Sequence, residues 1–397
     1  MNITLQDILK KYPHIHIADQ SDNQAILHLI DTVSMETKNL PIFYSRGDNF
    51  FSLLECGYDS SFVLIMKDEN KEVVGVGSFC LNQLYINGKL ETAVYLMDAR
   101  SKRHLPADLR QEWKVLFSEL IEKSNHIIDF KFAKYFYCAI IASNQLAINS
   151  FVKKKRDFIY HELADYQSIN ILGKLPFRLW KKKPVSHNLT IGFAQPKDKQ
   201  ELSKFLDREN QLRPFGSCYD LKEINNCLEK RLKQWPHCNL NSFIIAKNPE
   251  EKIVGAFLPW SASPKRSLVI KKLNLNLFLL NLVMPMFKGK KAKLNKEFKT
   301  LYLTNFEIDS TLSYEIRQNA FTQMLEFLYK QKINQDYHSI SLVTYPEDPF
   351  VQALTPMGII SVKIPGKIFQ VVHQDHLEKN IILPNFKKSP KLEISVG

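Results

Sequence analysis

Glycine is scarce in this sequence, and its distribution argues against a standard phosphate-binding loop. The chain of 397 residues contains 13 glycines, and none lies between Gly88 and Gly173. Such loops are rich in glycine because the backbone must approach the anion closely. The segment "YLMDARSKRHLPADLR" (95–110) nevertheless has the strand, basic turn and helix pattern in which a phosphate is often held. A phosphate site here would have to be built without glycine.

Cysteine is also sparse. The six cysteines form no CxxC pair, and no histidine spacing completes a zinc site, so no metal is predicted. Cys80 and Cys138 lie in apolar, strand-like runs and are expected to be small core residues. This usage predicts a reducing, cytoplasmic location.

Long apolar runs are missing as well. The N-terminus lacks the basic start, apolar run and cleavage site of a signal peptide. The most apolar window, 273–287, contains three asparagines and a proline and is too short to span a bilayer. With the lysines beside it, segment 269–293 suits an acidic membrane surface. A lid over a long acyl chain, a dimer contact or a helix packed on its own domain are the alternatives.

Positive charge is in excess. Lys and Arg number 54 against 41 Asp and Glu, a net charge of +13. This favours an anionic partner, although lysines scattered for solubility are the other explanation. The basic runs 153–156 and 181–183 lack a recognition-helix context, so specific DNA binding is not predicted.

The hydrophobic pattern predicts one element order that occurs twice: strand, two helices, hairpin, strand, long helix, strand, short helix and closing strands. In the first half, a hairpin at 72–99 turns at Asn87-Gly88, and 158–172 is predicted to be a closing strand pair. In the second half, 221–235 is predicted to be a helix. The predicted divisions are a domain at 1–175, a linker at 176–188, a domain at 189–375 with an insertion at 261–297, and a tail at 376–397. Residues 383–397 of the tail are expected to lie on the surface.

This order resembles the GNAT acyltransferase fold, and the chain resembles bacterial tandem GNAT proteins. "IIASNQLAINSF" (140–151) has the Asn–x–x–Ala signal in Asn144 and Ala147, and "YLMDARSKR" (95–103) resembles the Tyr-Leu-x-Asp-x-Arg pattern of that group. The resemblance implies a mixed α/β sheet in two tandem GNAT-like domains. It also implies acetyl-CoA or another acyl-CoA as co-substrate, and a small-molecule or peptide amine as acceptor.

The resemblance places the coenzyme at the turn after the strand that ends near Ala99. The family pattern there is roughly Arg-x-x-Gly-x-Gly/Ala, whereas this chain has Pro106 and Asp108 where glycines are expected. Asp108 would repel phosphate, and it also suits the N-cap of the next helix. Basic side chains could replace backbone donors. The residues predicted to bind the coenzyme are Met97, Ala99, Arg100, Arg103, His104, Ala107, Arg110 and Asn144.

The catalytic candidates lie on the same strand. Asp98 is predicted to take a proton through water, with pairing to Arg100 or Arg103 as the alternative. The position that carries the family's leaving-group tyrosine is Phe151 here. Tyr95, Tyr160 or Tyr166 could supply a hydroxyl instead, or each could be a half-buried strand tyrosine. Arg46, beside aromatic residues, could bind an acidic group of the acceptor or simply pack on phenylalanine.

Three functions remain open from the sequence. The first is acyl transfer, most simply of acetyl, from acyl-CoA to an amine. The second is a non-catalytic GNAT-fold binding protein, which the missing glycines and Phe151 favour. The third is a tandem GNAT transferase whose donor is a long-chain acyl-CoA or an aminoacyl-tRNA. The second domain is expected to shape the structure or the substrate site, because its equivalent turn at 307–315 is acidic and glycine-free.

Overall fold

The computed structural model describes residues 2–33, 42–153, 157–175, 188–219, 232–233, 235, 238–263, 265–271, 275–287, 289–377, 381–382 and 386–393. The predicted linker at 176–188 and the predicted helix at 221–235 lie almost wholly outside the described residues. Both therefore stay predictions.

The strands of the described residues are β1 (Ile15–Ile17), β2 (Ile42–Ser45), β3 (Ser60–Lys67), β4 (Val73–Ile86), β5 (Lys89–Ser101), β6 (Tyr135–Ile141), β7 (Phe158–Lys174), β8 (Thr190–Phe193), β9 (Gly216–Ser217), β10 (Ile244–Lys247), β11 (Ile253–Trp260), β12 (Ser267–Ile270), β13 (Glu297–Phe298), β14 (Thr300–Ile308), β15 (Ser339–Thr344) and β16 (Ile359–His373). The helices are α1 (Leu5–Leu9), α2 (Asn23–Thr32), α3 (Ser52–Gly57), α4 (Ala107–Glu122), α5 (Gln145–Ala147, continued by a π-turn at Ile148–Val152), α6 (Lys199–Gln211), α7 (Leu275–Val283), α8 (Tyr314–Lys330) and α9 (Phe350–Leu354).

A 13-stranded sheet runs through the described part of both halves. Its order is β1-β3-β4-β5-β6-β16-β7-β15-β14-β11-β10-β8, and β9 pairs with β4. The parallel pairs among these strands are β5 with β6 and β14 with β15. A second, three-stranded sheet has the order β13-β12-β2. The predicted mixed α/β fold with two similar halves is confirmed.

The closing strands join the halves. β16 pairs with β6 on one edge and with β7 on the other, and β7 also pairs with β15. The strand pair predicted at 158–172 is wrong, because β7 is one continuous strand of 17 residues. Its central polar residues, such as Glu162 and Asp165, lie on an exposed face and do not mark a turn. The domain boundaries predicted at 175 and 189 stay predictions.

Helices cover both faces of the sheet. One face carries α2, α3 and α6 over a shared apolar core that includes Ile30, Tyr95 and Phe205. On the opposite face, α1 and α4 cover the first half, and α8 and α9 cover the second. The hairpin at Asn87-Gly88 is confirmed, with φ of 52° and 75° at the two turn residues.

Two further predictions need correction. Asp108 is not an N-cap, because α4 begins at Ala107 and Pro106 precedes it; Asp108 instead places its charge in the first turn, where the helix dipole favours it. The tail is not a surface segment throughout, since Lys391 and Leu392 are each 9% exposed. Ion pairs to buried carboxylates draw its lysines inward.

Candidate active site

Strands β5 and β6 separate partway along their length. They pair in parallel at three positions, ending at Tyr95 opposite Tyr137. Beyond that point, β5 continues to Ser101 against β4, and β6 continues to Ile141 against β16. The facing edges of 96–101 and 138–141 are therefore unpaired among the described residues, and we call the gap between them the first opening.

A β-bulge bends β5 where the opening begins. The β4–β5 register shifts between Val76 and Ser78, so that Gly77 alone faces Asp98 and Ala99. Asp98 has φ of 55°, in the left-handed region. Such a bulge disrupts the ladder, increases the local twist and re-aims the residues that follow. The ring of Trp113 on α4 lies only 3.1 Å from where a Cβ on Gly77 would be, so α4 packs closely on this bend.

The turn that leads into α4 presents exposed positive charge. Arg103, His104, Ala107 and Arg110 are exposed there, as the coenzyme-binding prediction requires. Arg110 Nη2 donates to the Leu105 carbonyl at 2.8 Å, which braces the turn. No side chain caps the start of α4. The first backbone N–H groups of a helix are unsatisfied and attract anions, so this end of α4 can face a phosphate.

The remaining coenzyme candidates are distributed around the opening. Met97 and Ala99 lie on the part of β5 beyond its last pairing with β6. The Asn144 side chain accepts the Ala147 backbone N–H at 3.1 Å and so caps α5, the alternative role for that residue. Phe151 packs near the ring of Tyr160, with 6.2 Å between centroids.

Arg100 faces away from the α4 turn. Its Nη1 donates to the carbonyls of Ile30 and Val33, at 3.2 and 3.3 Å. These carbonyls belong to the C-terminal end of α2, where a cation interacts favourably with the helix dipole. The structure therefore places Arg100 on the opposite face of the sheet from Arg103. The sequence grouped Arg100 with the basic turn before α4, whereas in the structure its side chain contacts the end of α2.

Asp98 forms a buried ion pair with Arg46, and not with Arg100 or Arg103. The side chains of Asp98 and Arg46 are 5% and 0% exposed. Arg46 also lies over the Phe50 ring, 5.3 Å from its centroid. Burial disfavours the guanidinium charge, but Asp98, together with Tyr44 and Tyr58, outweighs it, so the pKa of Arg46 is raised. The base role predicted for Asp98 stays a prediction.

Tyr95 is buried at the inner end of the first opening. Its ring lies 5.0 Å from the ring of Tyr137 and 6.3 Å from that of Tyr58. Burial raises the pKa of Tyr95 well above its ordinary value, so the phenol is protonated at neutral pH. A protonated phenol suits proton donation rather than proton removal.

A second opening lies between β14 and β15. These strands pair in parallel only as far as Tyr302 opposite Ser341. The C-terminal segment 386–393 lies in this opening. Glu393 accepts the Asn305 backbone N–H at 3.2 Å, and the Tyr345 hydroxyl donates to the Pro390 carbonyl. A cavity of about 40 Å³ remains between the segment and the strands.

Buried charge holds the tail in the second opening. The Glu307 carboxylate contacts Lys388 at 2.9 Å, Lys391 at 3.0 Å and Arg213 at 3.1 Å. Lys388 also contacts the buried Glu209 at 3.0 Å. Although burial alone would raise it, these three cations hold the pKa of Glu307 far below its ordinary value. The second opening is thus occupied by the chain itself, whereas no described strand pairs with the facing edges of the first.

Sequence reasoning missed Arg266 and the tail. Arg266 lies in the insertion, and the pairing of β12 with β2 brings it beside Tyr44 and Arg46. Nothing local to residue 266 signals that neighbourhood. Within the described residues there is no group of three or more potential metal-ligating side chains, and no helix there is long and apolar enough to cross a membrane.

The comparisons with known proteins identify the fold. The sequence matches no family model, and no curated protein matches it. Among solved structures, Saccharomyces cerevisiae N-myristoyltransferase with bound myristoyl-CoA is similar at a TM-score of 0.54 and 12% identity, covering 90% of this chain and 78% of that one. A GCN5-related N-acetyltransferase from Sphaerobacter thermophilus gives 0.52 and 12% identity, covering 90% and 94%.

A third structure extends the likeness. It contains a fungal GCN5-related glucosamine N-acetyltransferase region, with a TM-score of 0.56 and 9% identity, covering 90% of this chain and 38% of that one. The predicted resemblance is confirmed at the level of fold. This chain has the fold of the GNAT N-acyltransferases over 90% of its length.

Proposed function

We propose that the chain is an N-acyltransferase that binds an acyl-CoA in the first opening and transfers the acyl group to an amine. The observation that carries this proposal is the separation of β5 from β6 beyond Tyr95 and Tyr137, beside an uncapped helix start. The unpaired edge of β5 beyond Tyr95 would offer its backbone groups to a thioester arm. The basic turn at Arg103 and His104 would hold the diphosphate in place of a glycine loop.

The chemistry needs few protein groups. The amine nitrogen attacks the thioester carbonyl carbon, an amide C–N bond forms, and the C–S bond breaks. The departing thiolate takes up a proton, and the amine loses one. Tyr95, protonated and at the inner end of the opening, is suited to give the proton to sulfur. Asp98 would accept the amine proton only by exchanging its contact with Arg46.

The second half would act as a scaffold and not as a second donor site. Its opening contains the segment 386–393, and its equivalent of Arg100 is the buried acid Glu307. An acidic residue paired with tail lysines offers a coenzyme phosphate nothing to bind. The cytoplasmic location predicted from the cysteines stays a prediction.

Donor binding is the direct test. Isothermal titration of the full chain with acetyl-CoA and with myristoyl-CoA should give saturable one-site binding, and bound ligand should raise the melting temperature. The variant Arg103→Ala should weaken binding about tenfold, as expected when one charged phosphate contact worth ~1.4 kcal/mol is lost. Lys204→Ala, which removes an exposed charge on α6, should leave the Kd unchanged.

The outcomes separate the alternatives. Binding of myristoyl-CoA without binding of acetyl-CoA would identify a long-chain donor. Binding of neither would leave a non-catalytic protein of this fold. An equal Kd for Arg103→Ala and wild type would show that the Arg103 side chain does not bind the diphosphate.

A further inference from the structure

Three arginines from distant segments meet around one tyrosine ring. The guanidinium carbons of Arg46, Arg100 and Arg266 lie 5.6, 5.9 and 4.5 Å from the centroid of Tyr44. They come from the segment after β2, from β5 and from the insertion before β12. We call Tyr44 and these three side chains the arginine cluster.

Two members of the cluster have little negative charge in contact with them among the described residues. Arg46 and Arg100 are both buried, and Asp98 forms an ion pair with Arg46 but not with Arg100. Arg46 Nε and Nη1 and Arg100 Nε and Nη2 have no hydrogen-bond partner among the described residues. A buried guanidinium with unsatisfied donors is costly unless a ligand completes it.

The electrostatics agree with the geometry. Burial lowers the pKa of Arg100, and the neighbouring Arg46 lowers it further, although Asp98 acts in the opposite sense. Burial and Arg46 also disfavour the charge of Arg266, but Tyr44, Tyr302 and Asp98 outweigh them and raise its pKa. An added anion would relieve this repulsion between like charges.

The position of the cluster relates it to the proposed reaction. Asp98 and Arg100 lie on the part of β5 that has left β6, on the face of the sheet opposite α4. Arg266 and Tyr44 are only partly buried, whereas Arg46 and Arg100 are buried. A molecule held there would approach the first opening from the face that the coenzyme turn does not occupy.

We propose that the arginine cluster binds an oxyanion, a carboxylate or a phosphate, carried by the acceptor amine. Guanidinium groups bind such oxyanions through paired N–H donors, and a partly buried site strengthens each contact. The acceptor role rests on the proposed transfer reaction. The binding of an oxyanion by these side chains does not.

Oxyanion binding can be measured without coenzyme. Inorganic phosphate and succinate are titrated separately into the full-length Arg103→Ala, His104→Ala protein, which lacks the basic side chains of the α4 turn. Melting temperature and isothermal titration report binding. Both probes should bind, and adding Arg100→Gln or Arg266→Gln should weaken binding about tenfold. Arg208→Gln, which removes an arginine from α6, should have no effect, and Arg100→Lys should restore part of the affinity.

The results decide the inference independently of the transfer reaction. Equal affinity in the Arg100→Gln, Arg266→Gln and Arg208→Gln proteins, or no binding of either probe, would overturn it. Selective binding of phosphate or of succinate would identify which oxyanion the acceptor carries. Failure of acyl-CoA to bind wild type would remove the proposed reaction but leave an oxyanion site standing.

A different surface carries a second inference. Helix α7 and the turn after it expose an apolar stripe, each member of which is between 37% and 70% exposed: Phe278, Leu279, Leu282, Val283 and Met286. The spacing places them on one side of the helix. Beside the stripe, four lysines are exposed: Lys290, Lys291, Lys293 and Lys296. No ion pair to a carboxylate is seen for these lysines among the described residues.

The stripe and the lysines form one surface. Asn281 donates to the Ala292 carbonyl at 2.8 Å and accepts the Ala292 N–H at 2.7 Å, which fixes the lysine segment against α7. A Cβ on Gly289 would lie 2.6 Å from the Leu172 carbonyl, so the segment turns tightly against β7. The surface is therefore held on the body of the protein.

We infer that this surface binds an acidic lipid bilayer. An apolar stripe beside unpaired lysines matches an interfacial segment, in which acyl chains cover the stripe and lipid phosphates meet the lysines. In flotation assays, the protein should bind vesicles of equal phosphatidylcholine and phosphatidylserine, and it should bind phosphatidylcholine vesicles several-fold less. Raised salt should release it.

Variants test the face directly. Leu282→Glu and Met286→Glu should each abolish flotation, whereas Val115→Glu, on the exposed side of α4, should not. Unchanged flotation in the first two variants, or no flotation of wild type, would refute the inference. A wild-type dimer that Leu282→Glu converts to a monomer would show that a second copy covers the stripe and would equally refute it.

Discussion

Asp98 and Asn305 occupy the same place in the two halves of the sheet. Each lies three residues beyond the last parallel strand pair, within a β-bulge, and each has a positive φ, 55° and 52°. Their surroundings differ. Asp98 pairs with Arg46 beside the first opening, whereas the Asn305 backbone meets Glu393 of the tail in the second. A β-bulge thus lies where the parallel strands separate in both halves, and the side chains around it differ.

The Asp98–Arg46 pair should contribute strongly to stability. Asp98→Asn leaves the Arg46 cation buried without its carboxylate, so we expect the free energy of unfolding to fall by about 3 kcal/mol in urea titrations. Glu72→Gln breaks the exposed pair with Lys102 and should cost less than about 1 kcal/mol. Equal losses in the two variants would contradict a buried ion pair.

Glu307 should make stability depend on pH in the acid range. Its folded pKa lies below the ordinary 4.5, so its contribution is complete above pH 4.5 and declines as the pH falls toward the lowered value. The difference in unfolding free energy between wild type and Glu307→Gln should therefore be larger at pH 7 than at pH 3. A difference that does not change with pH would show that Glu307 is not held ionised.

The tail should be required for stability of the second half. A chain ending at residue 385 loses Lys388 and Lys391 and leaves Glu307 and Glu209 short of positive partners. We expect the free energy of unfolding to fall by about 3–5 kcal/mol. A chain ending at Glu393 keeps the contacts described above and should match wild type. If the shorter chain is as stable as the longer one, the tail does not hold the second opening.

A side chain at position 216 should destabilise the protein. A Cβ there would lie 2.0 Å from the Asn210 carbonyl oxygen, and β9 would have to leave its pairing with β4. Gly216→Ala should cost about 1–3 kcal/mol by denaturant unfolding. Gly192→Ala is the matched control, because no atom lies within 4 Å of the added carbon. A loss in the control as large as that in Gly216→Ala would show that a clash with Asn210 is not the cause.

Local pattern was sufficient for much of the fold and for part of the site. The hairpin at Asn87-Gly88 and the strand–turn–helix at 95–122 follow from residues close in sequence. The exposed basic turn at Arg103 follows as well. Arg100 lies on the face of the sheet opposite α4 for a specific reason. Strict alternation would place it with Val94 on the α4 side, but the bulge at Asp98 and Ala99 shifts the alternation by one residue.

The sequence by itself determined elements such as the Asn87-Gly88 hairpin and the strand–turn–helix at 95–122, and it determined the repeat that implies two similar halves, because periodicity and turn chemistry act over a few residues. Only the tertiary structure decided that Arg266 joins Arg46 and that the tail lies in the second opening. The same holds for the joining of the halves by β16. Those contacts link residues far apart in the chain. They depend on which strands pair and on which buried charges meet in the folded protein.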